Sequence, residues 1–162
     1  MNLSILFNVQ KELDDRILME KGLTGVDLLP KKILSLQVEL GELANELPEV
    51  FKFWSKKKNN YEKALVEYCD CLHFILSIGN NLAVDIERFT ILPFKNKTIL
   101  KQFLQTYCAI SDLKQYLCDI DLIRVLEHFV ALGEMLGFTW EQIEKSYYAK
   151  NKINHQRQTD HY

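Results

Sequence analysis

The sequence has 162 residues, 48% of them hydrophobic and 26% charged, with 20 basic against 22 acidic side chains and a formal net charge of -2. That balance can bury a core, lacks the signature of a disordered chain, and is expected to form one domain over residues 1–162. It also excludes the basic face that nucleic-acid binders concentrate, since the densest basic run is Lys56 to Lys58. No apolar stretch approaches the roughly 20 residues of a membrane span, and the N-terminal segment has no cleavable signal pattern. A cytoplasmic protein without membrane or nucleic-acid partners is expected.

Apolar residues recur at spacings of three and four along most of the chain, and sustained β-branched alternation is missing, so the expected fold is an all-α helical bundle. A first helix is predicted from Leu3 to about Glu20, with Leu6, Gln10, Leu13 and Ile17 along one line. Gly22, Gly25 and Asp27 mark a loop. Pro30 suits the first turn of a second helix, from about Leu29 to Leu47, which Pro48 breaks or bends. A short turn through Phe53 and Trp54 and a polar loop from Ser55 to Asn60 lead into a long third helix, Tyr61 to about Leu82. Residues 83–96 read as irregular or briefly helical around Pro93. Two further helices fit Lys97 to about Leu117 and Ile120 to Leu136, with Gly137 as a stop.

Thr139 and Gln142 then form a capping box that opens the last helix. It turns strongly polar from His155, so the last eight or so residues are expected as a polar tail. The four cysteines are too sparse for a disulfide scaffold. Cys69 and Cys71 lie about 200° apart around a helix and cannot share an ion, so all four read as buried or semi-buried free thiols. Phe129, Met135, Phe138 and Trp140 are compatible with either core or a partner surface.

The pattern with most chemical content is acidic. Glu39 and Glu42 are one helical turn apart on the second helix, and Glu67 and Asp70 repeat that arrangement on the third. The motif is E-x-x-E, 24 intervening residues, then E-x-x-D. A tight connection lays the two helices antiparallel and can bring the four carboxylates face to face. Leu36 and Leu43 flank the stripe on one side, Leu34 and Val38 on the other, and Phe74 projects between the acids of the third helix, so this is not a plain polar face. Two unit charges 4 Å apart repel by roughly 4 kcal/mol at an effective dielectric of about 20, and cations are the simplest remedy. All-oxygen ligands suit hard ions, which points to Mg2+ and a phosphate-bearing substrate. A di-iron bundle requires two E-x-x-H motifs, whereas His73 supplies a single D-x-x-H. Glu46 and Glu49, which extend the stripe, read as surface acids.

At this point the residues resemble a known family. Glu39-Leu40-Gly41-Glu42, then Phe51-Lys52-Phe53-Trp54, then Glu67-x-x-Asp70-x-Leu72-His73-Phe74 is similar to the dimeric all-α dUTP diphosphatases, a branch of the all-α nucleoside triphosphate pyrophosphatases. Gln10-x-x-Leu13-Asp14-x-x-Ile17, Ser77-x-Gly79-Asn80 and Tyr148-x-Lys150-Asn151-x-x-Asn154-x-x-Arg157-Gln158 agree with it, so the resemblance covers nearly the whole chain. It implies Mg2+-dependent hydrolysis of dUTP, and also dUDP, to dUMP, in a homodimer with two or more ions per site. It further implies that Glu39 positions or activates the attacking water, while Glu39, Glu42, Glu67 and Asp70 hold the metal.

The remaining motif positions acquire roles from that match and from their chemistry. The Gln10 amide can read the edge of uracil, unless it is simply polar cover on the first helix. Trp54 can close over the nucleotide or serve as a core or interface tryptophan. His73 can contact the sugar, order a carboxylate, or be structural. Lys150 and Arg157 supply charge for the phosphates, and Asn151 and Asn154 supply amides for base or sugar; the bland alternative is a solvated terminal helix. Lys56 to Lys58 read as a solvated loop. The chain departs from the family at its end, where Asp160-His161-Tyr162 replaces a Gly-Tyr tail. Two other readings compete: the same machinery acting on another nucleotide such as dCTP or a modified base, and a non-catalytic helical interaction protein with a solvated acidic stripe.

Overall fold

A computed structural model describes residues 2–160. Seven α-helices carry the chain: α1 (Leu3–Glu20), α2 (Leu29–Asn45), α3 (Pro48–Phe51), α4 (Tyr61–Asn81), α5 (Ile99–Tyr116), α6 (Asp119–Met135) and α7 (Trp140–Thr159), with one 3-10 turn at Ile86–Arg88 and no strand among the described residues. The ends follow local chemistry. Asn2, Asn60 and Thr98 each accept a backbone N–H of the first turn they cap, and Thr139 with Gln142 closes the expected capping box. Gly137 adopts φ +81° just past α6, where a side chain would be strained.

Three expectations shift. Pro48 follows the break at the end of α2 and opens an additional short helix, α3, ahead of the expected turn at Phe53 and Trp54, because proline suits a first helical position. The brief helical turn in the 83–96 stretch forms at Ile86–Arg88, capped by Asp85, and not around Pro93. The polar stretch from His155 stays helical to Thr159 because Arg16 of α1 fastens it: its guanidinium donates to the His155 carbonyl at 2.9 Å and to Thr159 Oγ1 at 3.0 Å. His161 and Tyr162 lie outside the described residues.

The centre of the bundle is α4, which packs against α1, α2, α6 and α7. Its buried residues, among them Tyr68, Cys71, Leu72, Ile75 and Ile78, point in all directions around the helix, as a central helix requires. Tyr68 stacks on Phe129 of α6 at 4.1 Å, and its hydroxyl donates to the Phe129 carbonyl. Phe129 is fully buried and belongs to the core, Phe138 and Trp140 are partly buried and pack against it, and Met135 is half-buried. All four cysteines are free; Cys69 and Cys71 are buried as expected, but Cys108 and Cys118 are exposed, because they lie on the solvent side of α5 and at the α5–α6 connection. No described helix is long and apolar enough to cross a membrane.

The antiparallel pairing of α2 with α4 is pinned at both ends. Asn60 N–H donates to the Glu46 carbonyl at 2.8 Å, and Lys32 Nζ donates to Asn81 Oδ1 at 3.0 Å. This register sets the acidic turns of the two helices opposite each other.

Candidate active site

Glu39 of α2 and Glu67 and Asp70 of α4 bring carboxylate oxygens within 4.8 Å of one another. Glu42, the other acid of the motif, is exposed and outside that trio, although its charge acts on all three. The two flanks of the α2 stripe differ: Leu36 and Leu43 are fully buried, whereas Leu34 and Val38 are exposed. The acids therefore lie on the border between core and solvent. Glu49 is structural, as its carboxylate takes Lys58 Nζ at 2.6 Å and Asn59 N–H at 3.1 Å and closes the loop that feeds α4.

Electrostatics show what this crowding does. Burial, then the charges of Asp70, Glu42 and Glu67, push Glu39 up to about 7. Burial and neighbouring acids also raise Glu67. Asp70 accepts from Lys150 Nζ at 2.5 Å, yet burial outweighs that ion pair and its carboxyl is raised too. At about 5 Å and a dielectric of about 20, two unit charges repel by roughly 3 kcal/mol, less where solvent reaches them, as it does Glu39 and Glu67. One lysine leaves that repulsion uncompensated. The donor set is all oxygen and fits a hard divalent cation.

Beside the acids lies a cavity of about 220 Å³. Glu39 and Asp70 stand at its acidic end, with Lys150 and Arg157 of α7 beside them, while Leu13, Ile17 and Phe74 supply apolar wall. Gln10, Asp14, His73, Ser77 and Asn154 complete the polar lining. His73 is buried and stacked on Tyr147 at 4.1 Å; burial, then the Lys150 charge, push its imidazole down to about 3, so it is neutral at working pH. Its Nε2 is buried with no hydrogen-bond partner.

The structure thus gathers Gln10, Glu39, Asp70, His73, Lys150, Asn154 and Arg157 around one cavity, with Glu67 adjoining through the trio. Three expected residues are not brought there: the exposed Glu42, Trp54 and Asn151. Trp54, 68% exposed, packs edge-on against Phe51 and Phe53 after α3 and does not line the cavity. Asn151 is buried on α7 but is not part of the lining, and its Nδ2 has no partner.

Sequence reasoning assigned no role to Asp14, Ser77, Lys32 and Tyr147, which hold this wall together. Gln10 and Asp14 share a helix face at a spacing of four, and Tyr147 precedes Lys150 by one turn; those spacings were the available signal. Lys32 had none, because it reaches Asp14 across the bundle, 3.6 Å away.

An all-α bundle with a carboxylate-edged polar cavity is the architecture of the all-α nucleoside triphosphate pyrophosphatases. Within that class the comparison is narrower: a dUTPase family model matches residues 2–162, and the chain belongs to the dUTPase family. It is thereby a dUTP diphosphatase, an enzyme of nucleotide metabolism. A search of curated proteins gives no match to the chain.

Proposed function

We propose that the protein hydrolyses dUTP, and dUDP as well, to dUMP with Mg2+, limiting uracil in DNA and supplying dUMP. The observation that carries this reading is the cavity where Glu39 and Asp70 of the acidic trio meet the cations of α7 and the Gln10–His73 pair. Glu39, Glu67 and Asp70 would hold the metal, with the exposed Glu42 turning in from the solvent side, two or more ions per site. Such ions neutralise polyphosphate charge and the charge that develops on the transferring phosphoryl group.

Glu39 is the residue that takes a proton from the attacking water; with no ion bound, burial and its acidic neighbours raise it to about 7. Lys150 and Arg157 face the phosphates, and Gln10, His73 and the amide of Asn154 face base and sugar. The cytoplasmic enzyme is one domain and works as a homodimer; exposed Leu34 and Val38 on α2, and Leu100 and Leu104 on the adjoining α5, support a partner face there.

The test is product analysis with purified protein on dUTP, dUDP, dCTP, dTTP and UTP, with Mg2+ and with chelator. Turnover confined to the deoxyuridine nucleotides and abolished by chelator is expected, with dUMP and pyrophosphate from dUTP. Preference for dCTP would overturn the base assignment, and full activity in chelator would overturn the role of the carboxylates.

The Lys150–Asp70 ion pair adds a second expected result. The lysine ammonium stands where a cation would otherwise be drawn, so Lys150→Met should tighten Mn2+ binding without nucleotide by several-fold to about tenfold. Titration by electron paramagnetic resonance reads it directly. Unchanged or weaker binding would show that Lys150 does not compete for the acids.

A further inference from the structure

Side chains of α1, α4 and α7 form one run of hydrogen bonds along the cavity wall, and its polarity follows from chemistry alone. Asp14 Oδ1 accepts from Gln10 Nε2 at 2.8 Å, and its Oδ2 accepts from Ser77 Oγ at 2.6 Å, with Lys32 Nζ 3.6 Å away. A carboxylate beside an ammonium can only accept, so Gln10 must turn its NH2 towards it. The Gln10 carbonyl oxygen then lies on the opposite side. There it accepts from the Tyr147 hydroxyl at 2.9 Å and meets His73 Nδ1 at 2.7 Å.

Because a carbonyl cannot donate, Nδ1 must carry a hydrogen, and in a neutral imidazole, as a buried ring with no acceptor at Nε2 requires, Nε2 is then bare. That Nε2 is the buried atom left without a partner. A Gln10 amide turned the other way would set oxygen against oxygen at Asp14, would present NH2 to His73 Nδ1, and would force the opposite tautomer.

We infer that Asp14 is a positioning residue of the active site: it holds the Gln10 amide one way round and, through it, fixes His73 as the Nδ1–H tautomer. Both carboxylate oxygens are committed to protein donors, so Asp14 acts through Gln10. With its oxygen doubly occupied and one N–H bound to Asp14, Gln10 keeps a single N–H, and His73 keeps a single lone pair, for a ligand. The consequence for specificity rests on the reading proposed above, in which these two groups face a pyrimidine. Uracil carries a carbonyl next to an N–H and matches a donor beside an acceptor. Cytosine places an amine and a bare ring nitrogen at the same two positions and presents the reverse polarity.

The experiment uses the full chain and its Asp14→Asn variant, with His73 identified among the four histidines by His73→Asn. Long-range 1H–15N spectra report the tautomer without any substrate, and kcat/KM for dUTP and dCTP reports discrimination. In the unaltered protein His73 should be neutral with hydrogen on Nδ1; an Nε2–H form there overturns the inference whether or not the variant folds. In Asp14→Asn the tautomer should shift towards a mixture, and the preference for dUTP over dCTP should fall at least tenfold, mostly through KM. An unshifted tautomer in the folded variant also overturns it. A shifted tautomer with unchanged base preference keeps Asp14 as the positioning residue and overturns instead the reading of the base by Gln10 and His73.

Discussion

Glu39→Gln should fold like the parent protein and lose about 10²-fold to 10⁴-fold in kcat on dUTP, the range typical of removing a general base. Glutamine keeps the shape and an acceptor oxygen but cannot take a proton from water. Stability of the metal-free protein should move the other way. In the folded chain Glu39 titrates at about 7 against an ordinary 4.5, chiefly through burial and secondarily through Asp70 and its other acidic neighbours. The fold therefore favours the protonated carboxyl. Its contribution to stability is complete below about pH 4.5 and is lost as pH rises through about 7. Melting temperatures in chelator should consequently fall between pH 5 and pH 8 for the parent and fall less for Glu39→Gln, which has no charge to expel at that position. Added Mg2+ should reverse the ranking at pH 8, because a bound ion stabilises only the form that binds it. A variant with full turnover would remove Glu39 as the base. A parent melting temperature that rises with pH through this window would remove the carboxylate crowding from the account.

Much of the fold was legible because it is written in local terms. The 3.6-residue periodicity, the Pro30 start, the Thr139–Gln142 capping box and the Gly137 stop are each settled within a few residues of chain, and the helices follow. The acidic helices were legible for the same reason, since a spacing of three defines a face before any partner is known. What stayed hidden depends on how helices meet. Whether Glu42 joins the other acids is a matter of interhelical rotation, and in the structure it faces solvent. Trp54 follows α3 on a connection whose path no periodicity specifies. The Asp14–Lys32 pair joins α1 to α2 next to the last turns of α4, across a sequence separation that only the packed bundle closes. Phe129 and Phe138 had two admissible readings because a buried face and a partner face carry the same composition.

The largest effect on stability is expected at Gly79, where α1 and α6 close onto α4. A methyl group there would stand 2.4 Å from Phe7 Cε1 and 2.8 Å from Leu122 Cδ2, distances that no pair of carbon atoms tolerates. Glycine inside a helix is disfavoured by about 1 kcal/mol relative to alanine, so its presence in the middle of a buried turn reflects the close approach it permits. Gly79→Ala should accordingly lower stability by about 1–3 kcal/mol despite the better helix propensity, a fall of several degrees in melting temperature for a chain of this size. Gly41→Ala is the control: its added carbon meets only the Tyr107 hydroxyl, at 3.3 Å, and should cost little or nothing. Phe7→Leu in the Gly79→Ala background should recover part of the loss, since the two sites share one contact and their effects cannot be additive. Activity should report the same event. Asn80 Nδ2 donates to the Phe7 carbonyl at 3.0 Å, tying α1 to α4 beside the glycine, and Gln10 and Asp14 follow Phe7 by one and two turns on α1. A methyl that displaces Phe7 shifts the helix that carries the Gln10 amide, so KM should rise in Gly79→Ala and return towards normal in the double variant. If KM stays unchanged while stability falls, α1 gives way at the Phe7 ring alone and the helix backbone holds its place against α4.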